Sequence, residues 1–262
     1  MSNASKMRIT ANRLTPRELI TGVREVFVRE LASYFDSNIA YVYTIAFTLL
    51  ANSQFMNDFF LAGTVEMAPF FHRLPFLLVF FVPAVTMRLW AEEKKTRTIE
   101  LLLTLPILPV QAVLGKYLAA LGLFLAFVVG TLPIPVMLMV LGSPDLGTIV
   151  SGYAGLTFLA GFFLALGMFF SALSADQIVA FVLSALAGLI LVLTGDDRVV
   201  AILDGLSPAL SVGTLLYEHL SVMPHYEAMV RGVIGLEQLA YFGLLSLLFL
   251  WLNIRVLELD RT

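Results

Sequence analysis

The chain has 262 residues, 59% hydrophobic and 13% charged, with mean hydropathy +0.91 and a formal net charge of −3. Soluble domains run nearer about 45–50% apolar and about 25% charged, so these charges are too few to clothe a water-facing surface of this size. Intrinsic disorder, a collagen-like fibre and a nucleic-acid-binding domain are excluded, and the lack of cysteine excludes a disulfide framework, a thiolate metal site and a cysteine nucleophile.

The expectation is an all-α polytopic membrane protein. Residues 1–14 are polar and read as a loose cytoplasmic N-terminus without a signal peptide. Residues 15–38 read as an interfacial amphipathic helix. Thr15 can cap it, Pro16 suits its first position and Glu18 stands where a capping box wants a carboxylate. Leu19, Ile20, Val23, Val26, Phe27, Leu31, Tyr34 and Phe35 then recur at helical spacing, with Arg17, Thr21, Arg24, Glu25 and Ser33 mostly opposite. One apolar stripe and one basic face place such a helix in the headgroup plane. A core helix of a small soluble domain is the alternative, and so short a segment builds little core.

A helix crossing about 30 Å of hydrocarbon needs about 20 mostly apolar residues. Six stretches qualify within residues 39–262: Ile39–Met56, Leu74–Trp90, Leu114–Leu141, Gly152–Ser174, Ile178–Gly195 and Leu239–Arg255. Asn52, Ser53 and Gln54 make the first the most polar. Pro133 and Pro135 are expected to kink or break the third, which is too long for a straight span. Thirteen of the sixteen lysines and arginines fall in one alternate set of connections, so the positive-inside rule puts both termini in the cytoplasm of a multi-pass inner-membrane protein.

The connection Arg88–Lys116, RLWAEEKKTRTIELLLTLPILPVQAVLGK, concentrates charge in a chain that otherwise avoids it. A short apolar helix from Ile99 to about Thr104 is expected there, stopped by Pro106, with Pro109 starting the next. A solvated positive-inside loop explains the basic residues. It does not explain Glu92, Glu93 and Glu100 in the same place, nor a stiff helix bracketed by prolines; a docking surface for a cytoplasmic protein explains both. Residues 196–238, on the outside, are long and apolar, with a helix start at Ser207-Pro208 and a break at Pro224. Two short helices dipping into the outer leaflet would hide that surface, provided protein satisfies their backbone.

Every Asp, Glu and His lies outside the six stretches as drawn, so the ionisable relay common in ion-driven carriers is missing. HExxH, GxSxG and a P-loop are missing too. His219 and His225 lie near Glu218 and Glu227 without metal-ligand spacing, so no metal is expected. Ala180, Ser184 and Gly188 on the fifth stretch, and Gly161 and Ala165 on the fourth, fit packing within a subunit and dimerisation equally well.

Three passages together resemble the membrane subunit of ABC-2-type transporters, in the gliding-motility-type branch: VFVRELASYFDSNIAYVYTIAFTLL (26–50), AEEKKTRTIELLLTLPILPVQAVLGKYLA (91–119) and MVRGVIGLEQLAYFGLLSLLFLWLNIRVLE (229–258). The resemblance spans nearly the whole chain and implies a six-span permease. Its partners would be cytoplasmic ABC ATPase subunits, a second permease (the same chain or a different one), the lipid bilayer and, where present, an outside-facing accessory protein. ATP and Mg would sit on the partner, leaving this chain without a cofactor and without enzyme activity of its own. By position, Glu92, Glu93, Thr98, Glu100, Leu101 and Leu102 would form the ATPase-coupling helix within 91–106. Residues 16–36 would be the elbow helix and 207–235 the outside re-entrant helices. Similar proteins usually carry glycine where this chain has Arg97, which leaves the start of the coupling helix open. The implied activity is export of a hydrophobic, amphipathic or polymer-like substrate by alternating access; a channel or a membrane scaffold of a larger envelope machine is the alternative.

Overall fold

The computed structural model describes residues 16–63, 65–98, 107–206 and 211–259. Twelve helices are described there, and no strand is among the described residues. They are α1 (Pro16–Asp36), α2 (Asn38–Ala62), α3 (Ala68–Thr86), α4 (Arg88–Lys95), α5 (Pro109–Thr131), α6 (Pro133–Leu141), α7 (Leu146–Leu173), α8 (Gln177–Leu193), α9 (Asp197–Leu206), α10 (Val212–His219), α11 (Met223–Val230) and α12 (Leu236–Leu259).

Four stretches are long and apolar enough to cross a membrane alone: Ala68–Lys95, Pro109–Leu141, Leu146–Leu173 and Leu236–Leu259. Two further crossings exist only if each bent pair counts as one, α1 with α2 at 75° and α8 with α9 at 85°. The described chain thus carries four to six candidate membrane-spanning helices, as suits a membrane-embedded protein. The expected first and fifth spans fall short for separate reasons. In α2 the run Asn52-Ser53-Gln54 and Asn57 dilute the apolar surface. In α8 the helix has 17 residues, about 26 Å of rise, short of the hydrocarbon thickness.

Helix α7 is the axis of the bundle. Of its apolar window 72% is buried, against 17% for α12, which lies at the edge. Leu156, Leu159, Ala160, Ala165 and Met168 are enclosed by α3, α5, α8, α11 and α12. A ring cluster of Phe47, Phe81, Phe124 and Phe127 joins α2, α3 and α5, with Phe47 stacked on Phe127 at 5.2 Å. The small residues of α8 serve packing inside the chain: Ala180, Ser184 and Gly188 are buried, and Gly188 faces Val79 of α3. Gly161 and Ala165 likewise face inward, Gly161 toward Tyr117.

The third stretch is interrupted at Leu132, where α5 ends, and Pro133 takes the first position of α6, where no N–H is needed; the two helices still form one 33-residue stretch. That stretch rises about 50 Å, well beyond the hydrocarbon thickness. In residues 196–238, three short helices stand among the described residues where two were expected. Pro224 opens α11 as well as closing what precedes it. α11 is embedded: Val222, Met223, Tyr226, Met229 and Val230 are buried, and the Tyr226 hydroxyl donates to the Phe71 carbonyl at 2.8 Å. At the bend before α11 the Val222 N–H donates to the Leu191 carbonyl at 3.5 Å and the Met223 N–H to Ser221 Oγ at 3.2 Å, so its backbone is satisfied by protein. The expected helix start at Ser207-Pro208 lies outside the described residues.

Candidate functional site

The charged connection folds onto the end of the bundle where α1, α4 and α5 meet. Helix α4 continues from α3 after Met87, which caps both. Its Leu89, Trp90 and Ala91 turn inward and are buried, while Glu92 and Lys95 turn outward. α1 lies along α5, and Gly115 makes that approach possible: a Cβ there would stand 2.5 Å from Val26 Cβ. Of the expected apolar stripe, Val26 and Tyr34 are buried against the bundle, whereas Ile20 and Phe35 are 65% and 42% exposed.

The chemical centre of this junction is Lys116. The sequence reading put it in the connection; the structure puts it two turns inside α5, only 2% exposed. Its ammonium has three donors, and three oxygens surround it: Glu93 Oε1 at 2.7 Å, Glu30 Oε1 at 3.3 Å and the Leu89 carbonyl at 3.1 Å. The Trp90 ring lies below it, 4.9 Å from Nζ to centroid, which adds a cation–π contact. One buried cation so ties α1, α4 and α5 together. At the root of α5, the Gln111 side chain accepts from the Leu108 N–H at 2.9 Å and donates to the Glu18 carbonyl at 3.1 Å, fastening α1 a second time.

A cavity of about 450 Å³ opens beside the triad, lined by Arg29, Tyr34, Arg88, Glu92, Glu93 and Thr98 among others. The Tyr34 hydroxyl and Glu93 Oε2 are buried at its edge without a hydrogen-bond partner. Glu92 keeps half its side chain in the open and leans on Arg88 at 3.7 Å. At the far end of α4, Thr96 Oγ1 donates to the Glu92 carbonyl at 2.8 Å and pairs with Thr98 Oγ1 at 2.9 Å. Lys94 and Lys95 occupy the last turn, where the helix dipole favours cations. Arg97 follows with φ +59°, the left-handed conformation that ends many helices and that glycine adopts most cheaply.

Of the six expected coupling residues, Glu92, Glu93 and Thr98 are brought together around this cavity. They do not play equal parts: Glu93 is spent internally on Lys116, while Glu92 and Thr98 remain presented outward. Glu100, Leu101 and Leu102, with the expected helix Ile99–Thr104 and Pro106, lie outside the described residues. Sequence reasoning did not single out Lys116, Trp90 or Gln111. Gln111 was findable: it stands two residues after Pro109, at the third helical position, where a capping side chain belongs. Among the described residues no three His, Asp or Glu side chains converge to hold a metal ion.

No model of a known protein family matches the chain, and no curated protein matches it either.

Proposed function

We propose that the chain is the membrane-spanning subunit of an ATP-driven transporter, an exporter of the ABC-2 type, worked by separate cytoplasmic ATPases that grip α4 and the segment after it. The observation that carries this reading is the bracing of α4. A short, outward-reaching helix fixed to two other helices by the buried Lys116 ammonium between the partly buried Glu30 and Glu93 is stiff enough to transmit force, and a solvated loop needs no such fixing. The sequence offers no P-loop, so the energy must arrive from another polypeptide. The lysine and arginine bias sets this junction on the cytoplasmic side. The substrate path lies between this chain and a second permease, and alternating access moves a hydrophobic, amphipathic or polymer-like substrate along it.

The test uses the tagged full chain solubilised from its native membrane. The reading expects a P-loop ATPase to copurify and hydrolyse ATP with Mg. It expects Glu92→Ala with Thr98→Ala to weaken retention about fivefold, roughly 1 kcal/mol, without lowering the thermal stability of the chain. A chain that purifies with no ATPase, and opens an ion path by itself in liposomes, belongs to the channel or scaffold class instead.

A further inference from the structure

The joint between α3 and α4 is held from outside. Met87 ends one helix and begins the next, and its side chain offers no cap to either. The first turn of any helix leaves backbone N–H groups without intrahelical partners, and a Ser, Thr, Asp or Asn at the cap position ordinarily satisfies one of them. Here the hydroxyl comes from a different helix. Ser171 of α7 accepts from the Trp90 N–H at 3.1 Å and the Ala91 N–H at 3.2 Å, and donates to the Met87 carbonyl at 2.8 Å. Ser171 is fully buried, as are Trp90 and Ala91 on either side of the contact. One turn earlier on α7, Gly167 clears the way: a Cβ there would stand 2.2 Å from Thr86 Oγ1 and 2.9 Å from Ser184 Oγ.

We infer that Ser171 is a positioning residue that caps α4 in trans and so couples the motion of α4 to α7. The covalent link to α3 passes through Met87, which keeps helical dihedrals and donates its N–H to the Pro83 carbonyl at 2.8 Å, while Pro83 itself removes one ladder bond near the joint. The link to α7 is a three-bond clamp in a dry site, where a lost partner leaves polar backbone unsatisfied. A displacement of α4 is therefore delivered to α7, the most enclosed of the four long apolar stretches, as well as along the chain to α3. The clamp stands whatever grips α4, so it does not depend on the docking proposed above.

The absence of cysteine makes the native chain a clean background for paired spin labels. With the full chain in lipid nanodiscs, labels at Lys95→Cys and Leu173→Cys report α4 against α7, and labels at Phe76→Cys and Leu173→Cys report α3 against α7. Ser171→Ala is expected to broaden the first distance distribution and leave the second as it was, while Ser171→Thr, which keeps the hydroxyl, retains the narrow form. A first distribution that stays narrow in Ser171→Ala overturns the inference. Should Ser171→Ala not fold, hydrogen exchange of the unaltered chain decides. The clamp predicts Trp90 and Ala91 amides exchanging about tenfold slower than those of Arg88 and Leu89 in the same turn, and equal rates contradict it.

Discussion

Lys116 is the residue on which the junction is most exposed to change. Removing its charge leaves the partly buried Glu93 without its ion-pair partner, while Glu30 keeps Arg29 at 2.9 Å, and breaking one side of an enclosed pair is far costlier than never having had it. Lys116→Met should lower unfolding free energy in detergent by about 3 kcal/mol, and adding Glu30→Gln with Glu93→Gln should recover most of that loss. If the triple variant is no more stable than the single one, the ammonium is not what the two carboxylates hold. Arg97 tests the opposite case, a residue that strains the fold. Its φ of +59° suits the glycine that the ABC-2 resemblance expects at this place. Arg97→Gly should stabilise the chain by about 0.5–1 kcal/mol, read as a rise in melting temperature, whereas Arg97→Val should lower it.

At the scale of elements, most of the helices were legible because lipid permits little else. A backbone in hydrocarbon must satisfy itself, so long apolar runs can only be helices, and prolines at 16 and 109 mark starts that the structure shares. What the sequence could not show is which helices meet. Glu30, Glu93 and Lys116 belong to three elements, and nothing in their spacing says that one cation serves both acids. Ser171 reads as an ordinary small residue of a span until α4 is placed against it. The same holds for α11, whose Tyr226 reaches Phe71 across most of the chain. Beside it, His225 of α11 stacks edge-on against Tyr241 of α12 at 3.9 Å, and partial burial holds its imidazole below the ordinary value of 6.5, with Glu237 opposing that shift. The neutral form is the one the fold prefers. Its contribution to stability is full above about pH 6.5 and is lost as pH falls through the lower folded value. Thermal unfolding should therefore show a drop on going from about pH 7.5 to about pH 5 that His225→Phe reduces, since the ring contact remains and the titration does not. An undiminished drop in that variant would assign the pH dependence elsewhere.

For the whole molecule, the asymmetry of charge and the asymmetry of packing coincide. The helices are bound to one another by apolar side chains and close small-residue contacts, and the one buried cation–carboxylate cluster among the described residues sits at the end bearing the lysines and arginines of the Arg88–Lys116 connection. A bundle built this way has its stiffest polar fixing where force would enter. The sequence made the class of solvent and the charged connection legible from composition alone. Its six expected spans correspond to four to six candidate crossings, and residues 196–238 carry three short helices among the described residues where two were expected. The most direct measurement on the central proposal is site-specific photo-crosslinking from Glu92 and Thr98 in intact native membranes, followed by identification of the captured chain. Crosslinks to a cytoplasmic P-loop ATPase, weakened when the reactive group is moved to the buried Ala91, are the predicted result. Capture of an outside protein from Glu92 and Thr98, with a P-loop ATPase captured instead from Leu206 at the other end of the molecule, would contradict it.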